Sequence, residues 1–180
     1  MPRHPAVAYL FLVRPMTTRF LLALIGILVL ALSGPAVASP ASAGELTPFE
    51  VFQSLKGAWM IRASDNTLPF EMTYAVGSNG TIVTEQFGKE LSVFYRDGGG
   101  FVMTHFCNRG NQPRLKLKPG GPPGRYEFDM FDITNLKDAS DAHVQKIIYE
   151  VLDPKHMNLE IIWKKGAGEE SEKYALTKQP

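Results

Sequence analysis

At 180 residues, 44% of them hydrophobic and 21% charged, the chain has the size and balance of one globular domain rather than of a disordered or collagen-like protein. Its 19 Lys plus Arg nearly match 18 Asp plus Glu, and that balance, without basic runs, speaks against a nucleic-acid binder. The single cysteine excludes an internal disulfide, so the fold must rest on its core.

The chain opens on a leader. Phe20 to Leu32 is an uninterrupted apolar run, preceded by Arg14 and Arg19 and followed by the small-residue stretch Pro35 to Ala43. A basic flank, an apolar centre and an Ala-x-Ala end predict a secretory signal peptide, and hence a secreted or periplasmic protein. Cleavage fits after Ala38 or after Ala43; we take the second, giving residues 1–43 as signal peptide and 44–180 as the mature domain. Met16 would begin a conventional leader by itself, so residues 1–15 read as an over-long start. The run is short of the roughly 20 apolar residues that a bilayer needs, and no cysteine follows it to carry a lipid, so no stable membrane anchor is expected after cleavage. Removing the leader's three arginines leaves 16 basic against 18 acidic residues, a net charge of −2.

Thr47-Pro-Phe-Glu50 is a capping box with Pro48 at the first helical position, where no N–H is needed. A short helix follows, with Phe49, Phe52 or Gln53, and Leu55 or Lys56 on its apolar side and Gly57 as C-terminal cap. It is placed to act as a lid or plug.

From Trp59 onward the periodicity is about two, with turn residues at intervals of about eight to twelve positions. Six strands are predicted before a loop: Trp59 to Ala63, Phe70 to Val76, Thr81 to Phe87, Leu91 to Arg96, Phe101 to Cys107 and Arg114 to Lys118. Pro119 to Gly124 cannot continue a ladder, because its prolines lack donors and its glycines lack side chains. Four more strands follow: Tyr126 to Phe131, Val144 to Leu152, Met157 to Lys164 and Lys173 to Thr177, the last after a Gly166 to Ser171 loop.

Alternation assigns the faces. Tyr126, Phe128 and Met130 oppose Glu127 and Asp129; Ile147, Tyr149 and Val151 oppose Lys146 and Glu150; Met157, Leu159, Ile161 and Trp163 oppose Asn158, Glu160 and Lys164. A sheet wetted on one side only, with this many strands, curls and closes to remove its edges. The expected fold is therefore all-β, an up-and-down antiparallel β-barrel of about ten strands with a short N-terminal capping helix.

Leu55-Lys-Gly-Ala-Trp59 resembles the Gly-x-Trp that opens the first strand of lipocalins and their calycin relatives, where it also follows a short helix. The strand count is more similar to fatty-acid-binding-protein and nitrobindin-like barrels. Met103-Thr-His-Phe-Cys107 with Gly110-Asn-Gln-Pro-Arg114 resembles a signature of secreted bacterial proteins of this general type. The resemblance implies a calycin-like barrel whose interior is either filled or holds a ligand. Nitrobindin-like barrels carry a Gly-rich first strand, whereas here Ala58-Trp-Met-Ile-Arg62 follows Gly57, which weakens haem binding by analogy.

Met103 to Arg114 is the stretch densest in chemistry. Met103, His105 and Cys107 alternate along one predicted strand and share a face at about 7 Å spacing. Soft and borderline ligands in a row suit Cu(I) or haem, but along a single strand they diverge too far for all to reach one small ion, and packing explains them first. Cys107 is either an inert core thiol or a reactive one whose pKa Arg109 would lower by turning back toward it; without a second cysteine, no thiol–disulfide cycle can run within one chain. Asn108 to Pro113 is the next hairpin, and turn chemistry alone accounts for its amides. The functional reading sets Arg109, Asn111, Gln112 and Arg114 at a barrel mouth, holding a carboxylate or phosphate while the interior takes an apolar tail.

His143 and His156 read as solvated, and Glu85 with Arg62 as an internal pair. There is no Ser-His-Asp order, no carboxylate pair of distinct environments, no phosphate loop and no zinc spacing, so no catalytic residue, metal site or cofactor is assigned. The leading expectation is a barrel that binds a small apolar or amphipathic molecule, with Tyr126, Phe128, Tyr149 and Trp163 on the wall and His105, Cys107 and the mouth residues giving orientation. The alternatives are a haem, metal or thiol-dependent redox protein using His105 and Cys107, and a ligand-free interaction module.

Overall fold

The structure, a computed structural model, describes residues 45–64 and 69–180; the expected signal peptide and its two candidate cleavage sites lie outside the described residues. One helix, α1 (Pro48–Ser54), precedes ten strands: β1 (Gly57–Ala63), β2 (Phe70–Gly77), β3 (Ile82–Phe87), β4 (Glu90–Asp97), β5 (Gly100–Phe106), β6 (Gln112–Leu117), β7 (Arg125–Thr134), β8 (His143–Asp153), β9 (His156–Lys165) and β10 (Gly168–Lys178). Each strand pairs antiparallel with its sequence neighbour, and β10 returns to β1 from Trp59↔Lys178 to Ala63↔Tyr174, so the sheet closes as an up-and-down barrel. Closure removes both edges, as the one-sided alternation required.

α1 forms where the capping box predicts it. The Glu50 carboxylate accepts the Thr47 N–H at 2.8 Å, and the Thr47 hydroxyl oxygen accepts the Glu50 N–H at 3.4 Å. Leu55, not Gly57, caps the far end, and Gly57 instead opens β1 at φ +128°, a left-handed-side conformation that a Cβ disfavours. The helix is a plug. Phe52 is fully buried with its ring centroid 4.8 Å from Phe94, 5.1 Å from Tyr149 and 5.2 Å from Phe101, and with Tyr126 and Phe128 within 5.8 Å. Burying such a ring contributes about 3 kcal/mol. The Trp59 indole N–H donates to the Leu55 carbonyl at 2.8 Å and ties the helix to the first strand.

One more local reading changes. Gly168 to Ser171 is strand rather than loop: a turn at Gly166-Ala167, with Gly166 at φ +55°, leaves Glu170 opposite Trp163. Cross-strand polar pairs hold this exposed segment, Lys165 to Glu170, Lys173 to Glu160 at 3.5 Å and the Ser171 hydroxyl to Glu160 at 2.6 Å. In β4 the buried positions are Glu90, Ser92 and Phe94, while Leu91, Val93 and Tyr95 lie on the outer side. The ladders decide this, because Ser92 stands opposite Glu85 of β3 and His105 of β5, both of which point inward.

Candidate functional site

The barrel has two ends of different chemistry. At the α1 end, Phe52 fills the space between Phe94, Phe101, Tyr126, Phe128 and Tyr149. Three of the expected ligand-wall residues, Tyr126, Phe128 and Tyr149, therefore pack on the protein's own phenyl ring. At the other end, where β3 gives way to β4 and β5 to β6, lie His105, Cys107, Arg109, Asn111 and Trp163.

Between the two runs a buried polar chain. The Glu85 carboxylate accepts hydrogen bonds from Tyr74 at 2.7 Å, Tyr149 at 2.9 Å and Ser92 at 3.1 Å. Burial raises the Glu85 pKa, and the three hydroxyl donors act against that rise. Ser92 Oγ also lies 3.1 Å from His105 Nδ1. A serine has one hydrogen, so when Ser92 gives it to ionised Glu85 the Nδ1–H must belong to His105. Nε2 then carries a bare lone pair, and it is buried without a hydrogen-bond partner.

His105 Nε2 points toward Glu90 Oε2, 3.8 Å away. That separation is too long for a hydrogen bond, and it is no ion pair near neutral pH either, because burial holds the His105 pKa down to about 4. Glu90 Oε1 accepts the Asn108 N–H at 3.3 Å and faces the Cys107 thiol at 3.6 Å. Burial raises the pKa of the Glu90 carboxyl and of the Cys107 thiol, the latter opposed by the Arg109 backbone N–H at 3.5 Å from the sulfur. Arg109 does turn back, but with its backbone; its guanidinium sits over the Trp163 ring at 5.6 Å. Ser92 is 1% exposed with its hydrogen committed, and Cys107 is held as the thiol, so neither is set up as a nucleophile.

The mouth residues separate. Asn111 is buried and donates through Nδ2 to the Ala142 carbonyl at 3.1 Å, leaving its Oδ1 without a partner. Gln112 is absorbed by the hairpin, donating to Gly110 at 2.8 Å and accepting from Thr134 at 2.8 Å and Asn135 at 2.7 Å. Arg114 pairs with Asp132 at 3.3 Å and Asp97 at 3.8 Å on the outer wall, over the Phe131 ring. Turn chemistry accounts for Gln112 and outer-wall ion pairs for Arg114, and neither converges with His105.

Among the described residues, the buried side-chain polar atoms with no partner are His105 Nε2, Asn111 Oδ1 and Trp163 Nε1, all at the end opposite α1. On the inner face of the same end, Phe70, Phe87 and Tyr174 form a half-buried edge-to-face ring cluster with centroids 5.1 and 5.5 Å apart.

Other expectations are corrected. Arg62 is exposed on the outer face of β1 and does not meet Glu85, whose partners are hydroxyls. His143 is buried rather than solvated, its Nδ1 2.8 Å from the Asp141 carbonyl oxygen; His156 is exposed and pairs with Asp153 at 2.9 Å. Glu90, Ser92 and Tyr74 were missed as site residues. The inward turn of β4 hides the first two, since its apolar Leu91, Val93 and Tyr95 advertise the opposite face.

No protein-family model matches the chain, and no curated protein shows significant similarity to it.

Proposed function

We propose that this chain is a secreted or periplasmic calycin-like barrel that binds a small amphipathic molecule at the end opposite α1. The observation that carries the reading is that the three partnerless buried polar atoms among the described residues, on His105, Asn111 and Trp163, all belong to this end of the barrel, where the half-buried Phe70, Phe87 and Tyr174 rings also face inward. Each such atom costs about 1–3 kcal/mol if left unpaired, so a molecule offering both a donor and an acceptor there recovers stability that the fold alone forgoes. The rings accept its apolar part, and Arg109 over Trp163 favours a negatively charged head group. The leader sequence supports export, and a closed ten-strand barrel behind a short helix supports the calycin-like assignment. The deep interior is filled by Phe52 and its neighbours, so the ligand lies at this end rather than against Tyr126, Phe128 and Tyr149.

Anilinonaphthalene sulfonate, an amphipathic anion, tests the reading by fluorescence titration. Saturable binding with quenching of tryptophan emission is expected, weakened about tenfold by Arg109→Ala, a loss of roughly 1.4 kcal/mol. Absence of saturable binding, or equal binding by the variant, would refute it.

A further inference from the structure

Glu90, His105 and Cys107 meet from two places in the chain, the start of β4 and the end of β5. Glu90 opens β4, His105 stands near the end of β5 and Cys107 follows β5 at the first position of the next turn, whose geometry is set by Cys107 N–H to Asn111 O at 3.1 Å and Gly110 N–H to Cys107 O at 3.0 Å. Their ligand atoms all lie within 4.8 Å of one another, and all three residues are buried. Cys107 has left the regular alternation of β5 for the turn, which lets its sulfur and the His105 imidazole come this close, and the carboxylate that completes the group comes from the neighbouring strand.

A second and independent feature points into the same spot. His105 is 3% exposed, and its Nε2 has no hydrogen-bond partner. The Ser92 hydroxyl holds the opposite ring nitrogen at 3.1 Å and is itself anchored on the Glu85 carboxylate at 3.1 Å. An imidazole whose far nitrogen donates into a hydroxyl–carboxylate relay, with a bare near nitrogen directed at a thiol and a carboxylate, has the outer support of a metal ligand.

We propose that Glu90, His105 and Cys107 form a binding site for a zinc-class divalent cation, with Ser92 and Glu85 as the relay that orients His105. The donor set, one sulfur, one nitrogen and one oxygen, suits a borderline ion: calcium and magnesium require oxygen cages, and copper(I) favours a richer sulfur set. Met103, the thioether on the same strand face, is packed in the core 3.8 Å from the Tyr149 hydroxyl, whose hydrogen goes to Glu85. Tetrahedral zinc holds such ligand atoms about 3.5 Å apart. Glu90 meets the Cys107 sulfur through Oε1 at 3.6 Å and His105 Nε2 through Oε2 at 3.8 Å, and with one ligand atom per residue the group lies within 4.8 Å, so a small contraction around an ion reaches that spacing.

Charge closes as well. On binding, the Cys107 thiol releases its proton to solvent, and thiolate plus carboxylate neutralise the two positive charges of the ion beside a neutral imidazole. The buried assembly is then uncharged, which avoids the desolvation penalty of an isolated ion. No further His, Cys, Asp or Glu among the described residues joins the group, so the fourth donor of a tetrahedral ion is a water or a bound molecule. The inference shares the His105 Nε2 lone pair with the amphipathic-ligand reading but does not depend on it: the chelating group of Glu90, His105 and Cys107 exists whether or not this end binds an organic molecule.

The test is titration of the purified full chain, stripped with a chelator, with cobalt(II) and then zinc(II). A single equivalent of cobalt is expected to produce a sulfur-to-cobalt charge-transfer band and d–d bands of tetrahedral strength, both erased by zinc. Cys107→Ser should abolish the charge-transfer band. Ser92→Ala should keep the band but weaken zinc binding about tenfold or more, the behaviour of a positioning residue. In the wild-type protein, zinc should shift the His105 Nε2 resonance far more than Nδ1, a readout that needs no variant to fold. Cobalt bound without a sulfur band, as at the exposed His156 and Asp153, or an unmoved His105 Nε2 resonance, would overturn the proposal. Dye binding that fails while the sulfur band appears would remove the amphipathic-ligand reading and leave the metal site standing.

Discussion

Ser92 and His105 face each other across the β4–β5 ladder, with the serine oxygen 3.1 Å from Nδ1. The contact fixes a tautomer as well as an orientation, because the serine hydrogen is directed to Glu85. Ser92→Ala should therefore free the ring and leave Glu85 with two donors instead of three. The expected cost is about 1–3 kcal/mol in urea unfolding, the penalty for an unsatisfied buried polar group. With Glu85 ionised, at a pH above its native pKa, nitrogen NMR should report Nδ1 protonated and Nε2 bare in the wild type, and a mixture of tautomers in the variant. Nε2–H as the wild-type form would reverse the hydrogen-bond direction argued above.

Phe52 is the one ring of α1 that enters the barrel fully, and it touches rings from β4, β5, β7 and β8. Phe52→Ala should destabilise the protein by about 3–5 kcal/mol, the range for deleting a buried phenyl ring and leaving a cavity. Denaturant unfolding followed by circular dichroism measures it. The variant should also gain a second, weaker dye-binding phase, because the space among Phe94, Phe128 and Tyr149 is opened. A loss below about 1 kcal/mol would mean that the barrel collapses onto the gap or that α1 contributes little to the core.

The strands were legible because each carries one strong, repeated preference. Tyr126-Glu-Phe-Asp-Met130 and Met157-Asn-Leu-Glu-Ile161 alternate without exception, and the structure buries Phe128, Met157, Leu159 and Ile161 while half-burying Tyr126 and Met130. The Thr47 to Glu50 capping box likewise encodes its hydrogen bonds locally. The site was less legible because it depends on which residues the ladders place side by side. Glu90 and His105 are 15 positions apart in sequence, and only the register Ser92↔His105 brings them together. Glu85 showed the same difficulty: a buried carboxylate invites an arginine partner, yet three hydroxyls from β2, β4 and β8 serve it instead. Local sequence carries no record of such a convergence from separate strands.

Glu85 should also give the protein a pH signature. Burial raises its pKa above the ordinary 4.5, so the folded protein keeps a proton that the unfolded chain has already lost. Stability from this group is fully present below 4.5 and is lost as pH rises through the native value, at up to about 1.4 kcal/mol per pH unit within that window. The groups facing it are Tyr74 from β2, Ser92 and, through space, Glu90 from β4, and Tyr149 from β8, with His105 reached through Ser92. All of these persist in Glu85→Gln, which removes only the titrating carboxyl. The stability of the variant relative to wild type should therefore climb as pH rises from 4.5 and level off above the native pKa. As Glu85 loses its proton, the Ser92 hydrogen turns to the carboxylate and the His105 hydrogen settles on Nδ1, so the NMR tautomer change should track the same midpoint. Urea unfolding of both proteins across this range, in chelator, measures the difference; a flat or falling curve would show that the three hydroxyl donors outweigh burial and keep Glu85 ionised as an ordinary carboxylate.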